Sequence, residues 1–302
     1  MPHPIAVVTP TIGRYAELRR LLESLARQTC PPERVVIVGD GEGNAGIALD
    51  FPQLGAEFLP LPGASVSEKR NRGAEAVRPG IDFIAFIDDD MVLEATALEA
   101  VMGFWEAAPP DLGGACPNMV GEAPRSASWL KKKIAPRLAL YSSQKGAVAR
   151  SGFHVPFGEV AETTYVSWLP TGCVVYSRRV FEKYRFDEFF KGYSYLEDLD
   201  LSYRVGKDFR LAVVASARCY HLPTQIGRPH PFLFGRKEVV NRLHFVSKHR
   251  ELSRLLCLVT LCLRALMSVG ESLSHLDADP LKRAAGNVAG LLRTSSRGAR
   301  PV

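Results

Sequence analysis

Several sequence motifs that directly indicate a function are missing from this 302-residue chain. It contains neither a Walker A phosphate loop nor a G-x-S-x-G nucleophile elbow, the marks of P-loop proteins and α/β-hydrolases. The glycine-rich stretch 39–43 is not G-x-G-x-x-G, and it follows the second predicted strand instead of the first. We therefore expect no dinucleotide-binding loop of that kind.

Cysteine pairs are absent as well. The six cysteines are scattered, and no two of them form a C-x-x-C motif. This distribution argues against a zinc site and a disulfide framework, and it is typical of a reducing cytoplasm. The chain enters a predicted strand at residues 5–9 without a basic segment and an apolar core before it, so we expect a cytoplasmic protein with no secretory signal.

Positive charge is concentrated towards one end of the chain. The formal net charge is +6, but residues 228–302 alone carry 13 Lys and Arg against 5 Asp and Glu. Such a surplus attracts an anionic partner. Because the basic residues do not alternate with aromatic ones in a groove-like motif, we exclude nucleic acid as that partner.

Long apolar runs are limited to Leu255–Leu263. Nine residues are too few to cross a bilayer, and extending the run to Gly270 would bury Arg264. Flanked by Arg254 and Arg264, the run suits a helix that lies on an anionic inner leaflet, which would make the protein peripheral on that face of the membrane. A helix that packs on the preceding domain or on a second copy of the chain fits equally, so a homo-oligomer also stays open.

The remaining sequence alternates strand and helix patterns, which predicts an α/β fold with a mixed, mostly parallel central sheet flanked by helices. Strand patterns at 5–9 and 34–38 enclose a helix pattern at 15–28, so the first 44 residues predict one β-α-β unit. We divide the chain into an α/β domain at 1–235, with halves at 1–120 and 121–235, and a C-terminal helical region at 236–302. Residues 122–165 are expected to be loop, 238–275 continuous helix, and the end of the chain from about Arg293 a mobile tail.

Three consecutive carboxylates, Asp88, Asp89 and Asp90, follow the most regular strand pattern, residues 83–87. Packed like charges repel one another and lose hydration, so a fold keeps them at a strand end when something positive binds there. A hard divalent cation carrying phosphate oxygens suits the position, because Mg²⁺-type ions take one or two carboxylates and leave other positions to substrate phosphates. Ligands of open α/β sheets also bind beside the carboxyl ends of the strands. The alternative is a solvated acidic turn.

Three further groups fit such a site, and each has an ordinary alternative. Glu197 and Asp198 open a predicted helix, where a carboxylate can act as a general base or merely complement the helix dipole. His221 follows the last predicted strand, at residues 211–214, and imidazole suits Mn²⁺ better than Mg²⁺, although a lone histidine is more often packed or exposed. The basic run 69–72 can meet a diphosphate or form a solvated helix face.

In this order the motifs resemble family 2 glycosyltransferases of the GT-A fold, from residue 5 to about residue 248. The opening strand and turn resemble the segment that holds the nucleotide base and ribose, and Asp40 resembles the acidic residue that contacts the base. Many members carry two aspartates there, whereas this chain has Gly39 in the first place. Segment 69–73 resembles the Ala-Arg-Asn-x-Gly segment beside the diphosphate, with Lys for Ala, and segment 88–90 matches the DxD motif.

The resemblance also implies the role of each site residue. The donor-binding residues are Thr9, Pro10, Thr11, Arg14, Asp40, Lys69, Arg70, Asn71, Asp88 and Asp89. The metal ligands are Asp88, Asp90 and His221. The acceptor-binding residues are Trp168, Thr171, Gly172 and Cys173. Asp198 is the general base, and Glu197 orients the acceptor or stays hydrogen-bonded near the base.

The chemistry that the resemblance implies is transfer of a sugar, with inversion, from a nucleoside-diphosphate sugar to a hydroxyl of a glycan or lipid-linked acceptor. Mn²⁺ or Mg²⁺ would neutralise the departing diphosphate. Such enzymes serve cell-surface polysaccharide or glycolipid synthesis. Two other classes stay open, namely a sugar nucleotidyltransferase that releases pyrophosphate and a binding or scaffold protein that kept the fold without turnover.

Overall fold

The computed structural model describes residues 4–41, 43–121, 138–192, 194–224, 226–227 and 229–297. Contacts within the chain define two compact units that interleave along the sequence. Unit 1 comprises Met1–Pro124, Phe157–Glu188 and Glu197–Ile226, and unit 2 comprises Arg125–Pro156, Phe189–Leu196 and Gly227–Val302. Part of the predicted loop region, residues 122–137, lies outside the described residues, whereas 138–163 contains no helix or strand.

Unit 1 alternates strands and helices, as the sequence predicts. Its elements in chain order are β1 (Ile5–Thr11), α1 (Tyr15–Ala26), β2 (Arg34–Gly39), α2 (Gly43–Leu49), β3 (Ala56–Pro60), α3 (Val66–Ala76), β4 (Phe83–Ile87), β5 (Met91–Leu93), α4 (Ala97–Ala107), β6 (Leu112–Met119), β7 (Thr164–Val166), β8 (Cys173–Ser177), α5 (Val180–Lys183), α6 (Glu197–Val205) and β9 (Arg210–His221).

All of the strands of unit 1 named above join one mixed sheet in the order β3-β2-β1-β4-β8-β6-β9-β5, with β7 on β9. The strands β3, β2, β1 and β4 are parallel, as are β6 and β9. Strand β8 is antiparallel to both of its neighbours, and β5 and β7 are antiparallel to β9. The predicted α/β fold with a mixed central sheet is therefore confirmed.

The interior strands are mostly apolar because both of their faces are covered. Every residue of β1, β4 and β8 is buried, as expected for strands between two helical layers. Helix α1 buries Leu18, Leu21, Leu22 and Leu25, whose spacing places them on one face. The first 44 residues thus form the predicted β-α-β unit, with β1 and β2 in parallel register.

Two strands extend further than the sequence predicts, and both extensions place site residues. Strand β1 continues through Pro10 and Thr11, which we expected in a turn, because Thr11 still pairs with Gly39 of β2. Strand β9 continues past residue 214 to His221, because its end pairs with the short strand β5.

Unit 2 contains the helices α7 (Pro231–Ser247), α8 (Arg254–His275) and α9 (Ala278–Arg297). The predicted continuous helix at 238–275 is wrong at 248–253, where Ser253 instead caps α8 by accepting a hydrogen bond from the Leu256 backbone at 3.3 Å. The predicted mobile tail is also wrong as far as Arg297, since α9 reaches that residue, and 298–302 lie outside the described residues. The predicted C-terminal helices are confirmed.

Helix α3 lies close to the sheet at Gly73, and this contact gives a first testable prediction. A Cβ atom there would lie 2.2 Å from Val8 Cγ1 on β1, so we expect Gly73→Ala to lower the free energy of unfolding by about 1–3 kcal/mol. Denaturant unfolding measures the difference. Gly46→Ala is the matched control, because Gly46 lies in α2 with no atom within 4 Å of the added Cβ.

The control has its own expected result. Alanine is a better helix former than glycine by about 0.5–1 kcal/mol, so Gly46→Ala should leave the protein equally stable or stabilise it. Equal stability of both variants would show that α3 can move away from β1 at no cost, and it would contradict the close packing of α3.

Candidate active site

The predicted site residues of the first half lie along one edge of the sheet. Strands β1, β2 and β4 are parallel neighbours, so Thr11, Asp40 and the acidic turn 88–90 follow carboxyl ends on the same side. Helix α3 begins next to this edge with a capping box in which Ser65 and Glu68 bond each other's backbone N–H groups. Its buried face is polar and carries Lys69, Arg70 and Asn71.

Asp89 is the buried member of the acidic turn. Its carboxylate accepts a hydrogen bond from Thr11 Oγ1 at 2.7 Å and from Arg14 Nε at 3.2 Å. Burial raises the pKa of Asp89 to about 7, although Arg14 and Thr11 act in the opposite direction. The enclosed carboxylate of Asp89 fixes the turn and Arg14 in place. Asp88 and Asp90 lie at more accessible positions.

Asp90 and His221 lie side by side. The Asp90 Oδ2 and His221 Nε2 atoms are 3.6 Å apart, and Arg14 Nη1 donates to the same carboxylate at 3.0 Å. Burial alone would raise the pKa of Asp90, but the neighbouring His221 imidazole and the charge of Arg14 hold it below its ordinary value. The β5–β9 pairing explains the proximity, because Met91 is directly opposite His221.

Asp40 is held at the other end of this edge by a buried lysine. Lys69 Nζ donates to Asp40 Oδ2 at 3.1 Å and to the Thr11 carbonyl at 3.0 Å, and the Gly63 N–H donates to Asp40 Oδ1 at 2.8 Å. Gly39 precedes Asp40 where β1 and β2 approach closely, so that an added Cβ would lie 2.0 Å from the Thr11 carbonyl oxygen. This backbone leaves no room for a side chain at position 39, where the resemblance implies an aspartate in many family 2 members.

Arg70 joins the two acidic motifs of the sequence. Its Nη2 donates to Asp88 Oδ1 and its Nη1 donates to Glu197 Oε1, both at 2.8 Å. The guanidinium is buried and lies over the Phe186 ring, with its Cζ 5.4 Å from the ring centroid. The charges of Asp88 and Glu197 raise the pKa of Arg70 despite its burial, so it stays a cation between two carboxylates.

The two carboxylates at the start of α6 have different environments. Glu197 is buried, and burial together with the neighbouring Asp198 raises its pKa. Asp198 is partly exposed, and its Oδ1 accepts the Leu199 N–H at 2.7 Å. Partial burial also raises the pKa of Asp198. The preceding residue, Leu196, has a φ of 79°, a strained conformation for a bulky side chain and one that recurs at functional sites.

Asn71 binds a different segment from its neighbour Arg70. Its amide exchanges hydrogen bonds with the Phe186 backbone at 2.9 and 3.0 Å, and it donates to Glu188 Oε1 at 3.0 Å. Asn71 thus holds the chain at 186–188 next to α3. The sequence gives no signal for Phe186 or Glu188, since neither belongs to a recognisable motif.

The four predicted acceptor residues do not share one environment. Gly172 lies at the acidic turn, where its carbonyl accepts the Asp88 N–H at 2.9 Å. Thr171 is buried, and its hydroxyl has no hydrogen-bond partner among the described residues. Trp168 is buried against Phe157, with ring centroids 5.7 Å apart. Cys173 is inside the sheet, and its thiol faces Cys219 instead of the surface.

Part of the predicted metal site is assembled. The described residues contain no group of three or more His, Cys, Asp or Glu placed to hold a metal ion by themselves. Asp90 and His221 form a carboxylate–imidazole pair, and Asp88 is bound to Arg70. This donor set fits a cation of the Mg²⁺ or Mn²⁺ type that takes few protein ligands and completes its shell with phosphate oxygens and water.

Comparison of the sequence with known protein families identifies the family of this chain. The sequence profile of glycosyl transferase family 2 matches residues 6–185. The chain belongs to this family. The resemblance predicted from the motifs is therefore confirmed. No curated protein sequence matched the chain.

Solved structures of family 2 glycosyltransferases share the fold. Mannosyltransferase PcManGT from Pyrobaculum calidifontis, in complex with GDP-Man and Mn²⁺, superposes with a TM-score of 0.58 at 13% identity, covering 97% of this chain and 90% of its own. S. aureus TarS 1-349, in complex with UDP-GlcNAc, gives 0.57 at 15% identity, covering 95% and 79%. The chain spans 43% of the length of a longer S. aureus TarS structure that it also matches. Identities this low establish the GT-A fold and not the substrates.

The family match ends at residue 185, before Glu197, Asp198 and His221. These residues reach the matched part of the chain through two contacts described above, the Arg70–Glu197 bond and the Asp90–His221 pair. The geometry thus connects the two parts of the predicted site, although the family profile covers only one of them.

Proposed function

We propose that the chain is an inverting glycosyltransferase that moves a sugar from a nucleoside-diphosphate sugar to a hydroxyl of a glycan or lipid-linked acceptor, with the help of Mn²⁺ or Mg²⁺. The bridge that Arg70 forms between Asp88 and Glu197 carries this proposal. It holds the acidic turn that would face the diphosphate next to the helix whose carboxylate would face the acceptor. A single-displacement reaction requires both in one place.

The donor would bind along the carboxyl edge of β1, β2 and β4. Asp40, positioned by Lys69, would contact the base, and Arg14 beside the acidic turn would offer a cation to the phosphates. PcManGT and TarS were solved with GDP-Man and UDP-GlcNAc, which supports a nucleotide-sugar donor but does not distinguish between nucleotides.

A bound divalent cation would be held by Asp90 and His221, with Asp88 nearby, and would supply Lewis-acid stabilisation of the leaving diphosphate. The protein contributes the placement of these groups. Arg14 fixes Asp89 and Asp90, and Arg70 fixes Asp88, so the turn is already ordered for an anionic substrate with its counter-ion.

Asp198 would remove the proton from the acceptor hydroxyl, whose oxygen then attacks the anomeric carbon from the face opposite the diphosphate. That geometry inverts the anomeric configuration. Asp198 is suited to this role because it is partly exposed and its Oδ1 accepts the Leu199 N–H, which orients the carboxylate. Glu197 is held by Arg70 and would orient the site instead. The Thr171 hydroxyl, which has no hydrogen-bond partner in the part of the chain that the structure describes, fits an acceptor or donor hydroxyl.

A panel of nucleoside diphosphates tests the donor site. We expect one of UDP, TDP, GDP, CDP and ADP to raise the thermal midpoint of the full chain, and to do so only with Mn²⁺ or Mg²⁺ present, because a ligand that binds the folded state alone stabilises it. At a concentration of 100 Kd the gain is about 2.7 kcal/mol. Asp90→Ala should abolish the shift.

The matched control is Asp50→Ala, which removes an exposed carboxylate outside the site and should keep the full shift. If no nucleotide stabilises the folded wild type, the enzyme proposal is wrong and a binding or scaffold role takes its place. Release of pyrophosphate instead of nucleoside diphosphate would identify the nucleotidyltransferase alternative.

A further inference from the structure

The chain enters helix α6 through a short segment with a strained backbone. We call residues 190–196 the entry segment, of which residue 193 lies outside the described residues. Gly192, Ser194 and Leu196 have positive φ angles of 59°, 53° and 79°. Glycine tolerates this conformation, whereas it is uncommon for serine and strained for leucine. Such strain persists only where the surrounding structure holds it.

Ser194 stabilises the entry segment from within. Its side chain is buried, and its hydroxyl donates to the Phe190 carbonyl at 2.6 Å and lies 3.1 Å from the Gly192 carbonyl. Its backbone N–H donates to the Lys191 carbonyl at 3.1 Å. These contacts close the first part of the segment into a turn, but none of them reaches its last peptide group.

Two polar side chains of α7 hold the entry segment from outside. Lys237 Nζ donates to the Lys191 carbonyl at 2.6 Å. Asn241 Nδ2 donates to the Tyr195 carbonyl, also at 2.6 Å. Lys237 and Asn241 are 8% and 2% exposed, and their spacing of four residues places them on one face of the helix. Because buried polar groups are costly unless they are hydrogen-bonded, this face is built to bind the backbone of the segment.

The side chain of Tyr195 packs on the same helix. Its ring lies against that of Phe234, with centroids 4.8 Å apart, and its hydroxyl accepts a hydrogen bond from Arg242 Nη2 at 3.4 Å. All of these contacts lie within unit 2. Helix α7 therefore holds both the backbone and the side chain of Tyr195.

Asn241 acts at the peptide group on which the strain depends. The φ angle of Leu196 measures rotation relative to the rigid peptide plane that contains the Tyr195 carbonyl. Because Asn241 binds that carbonyl, it fixes the plane against which Leu196 is rotated to 79°. A free plane could rotate until φ becomes negative, which would relieve the strain and redirect the chain just before Glu197 and Asp198.

We propose that Asn241, with Lys237 as a second anchor, is a positioning residue for the general base. It holds the entry segment in the conformation from which α6 starts, and so determines where the Asp198 carboxylate lies. Asn241 acts through the backbone and takes no direct part in sugar transfer. The inference rests on the proposed function for the role of Asp198, whereas the anchoring of the segment can be tested without it.

Turnover of Asn241→Ala tests the positioning role. The probe reaction is hydrolysis of the glucose, N-acetylglucosamine or mannose conjugate of the nucleotide that the panel selects, whichever the wild type cleaves fastest. We expect kcat to fall by about 10- to 100-fold, because a misplacement of about 1 Å caused far from the chemistry has effects of this size. The Kd of the nucleoside diphosphate should stay within about twofold of the wild type.

The same change in an Asp198→Asn background should cost nothing further. If Asn241 acts only through the base, its effect disappears once the base is gone, since residues that act as a unit are not additive. A side chain that merely stabilised the fold would have the same effect in both backgrounds.

Asn287→Ala is the matched control. Asn287 is also a buried asparagine of unit 2 that donates to a backbone carbonyl, that of Gly235 at 2.9 Å. Its other described hydrogen bond goes to Glu238 and not to the entry segment. We expect Asn287→Ala to lower the thermal midpoint about as much as Asn241→Ala does, and to keep the kcat of the wild type.

Hydrogen exchange measures the anchoring without any substrate. In Asn241→Ala we expect the backbone amides of residues 190–199 to exchange about tenfold faster than in the wild type, because local opening of the segment becomes easier. In Asn287→Ala they should exchange at the wild-type rate. Lys237→Met removes the bond to the Lys191 carbonyl, should act in the same direction, and replaces Asn241→Ala if that variant does not fold.

The outcomes distinguish this proposal from the proposed function. No thermal shift with any nucleotide contradicts the enzyme, and hydrogen exchange then decides on the anchor alone. Unchanged exchange in Asn241→Ala overturns the anchor. Faster exchange with a loss of kcat no larger than that of Asn287→Ala, or an equal loss in the Asp198→Asn background, overturns the positioning role.

Discussion

Replacement of Asp198 by asparagine is expected to lower kcat by about 10²- to 10⁴-fold, the usual contribution of a general base. Asparagine keeps the size of the side chain and an oxygen that can accept the Leu199 N–H. It cannot take a proton from the acceptor hydroxyl. Because Asp198 is not in contact with Asp40, Arg14 or Asp90 in the described hydrogen bonds, nucleotide binding should stay within about twofold of the wild type by the usual limits of a remote change.

Glu197→Gln is the comparison that distinguishes the two neighbouring carboxylates. Glutamine can still accept a hydrogen bond from Arg70, so we expect a smaller loss of kcat than in Asp198→Asn. Asp50→Asn, at an exposed position outside the site, should turn over like the wild type. Full turnover in Asp198→Asn would remove Asp198 from the mechanism, and a larger loss in Glu197→Gln would assign the base to Glu197.

The pH profile of kcat/KM provides a second readout of the same step. Partial burial raises the pKa of Asp198, so its proton is lost at a higher pH than that of an ordinary aspartate, near 3.9. The base form is the deprotonated one. Activity should therefore rise with pH through this raised pKa, and the acidic limb should disappear from the residual activity of Asp198→Asn.

The sequence predicts those parts of the site whose residues lie within one short segment or one β-α-β unit. The five apolar residues of β4 are buried on both faces as expected, and the carboxylates 88–90 follow directly. The β-α-β unit places Thr11 and Asp40 at the same edge, because parallel strands end together. Neither inference needs information from a distant part of the chain.

The links between distant segments are not predictable from local patterns. Arg70 and Glu197 are 127 positions apart, and nothing in the basic run 69–72 indicates which member turns towards the acidic motifs. His221 comes next to Asp90 because the three-residue strand β5 pairs with β9, and a strand that short has no recognisable alternation. Tertiary packing also overrides composition in α9, where glycines and serines suggested a mobile tail.

Arg70 connects the two acidic motifs of the site. Its removal should therefore have the largest effect on the free energy of unfolding. We expect Arg70→Met to lower the free energy of unfolding by about 3 kcal/mol, because it leaves the buried Glu197 and the partly exposed Asp88 without their cation. This is a large fraction of the 5–15 kcal/mol of a typical domain. Arg19→Met is the control, since Arg19 pairs with Asp50 at the surface at 2.6 Å and should cost at most about 1 kcal/mol.

A double-mutant cycle separates the charge of Arg70 from its packing against Phe186. If the loss comes from an uncompensated carboxylate, Glu197→Gln added to Arg70→Met should recover about 1–3 kcal/mol, the coupling expected for residues in direct contact. If Arg70 acts only by filling space, Glu197→Gln will recover nothing. A destabilisation no larger than that of Arg19→Met would contradict the bridge itself, and with it the argument that the two acidic motifs are held together in the folded protein before any substrate binds.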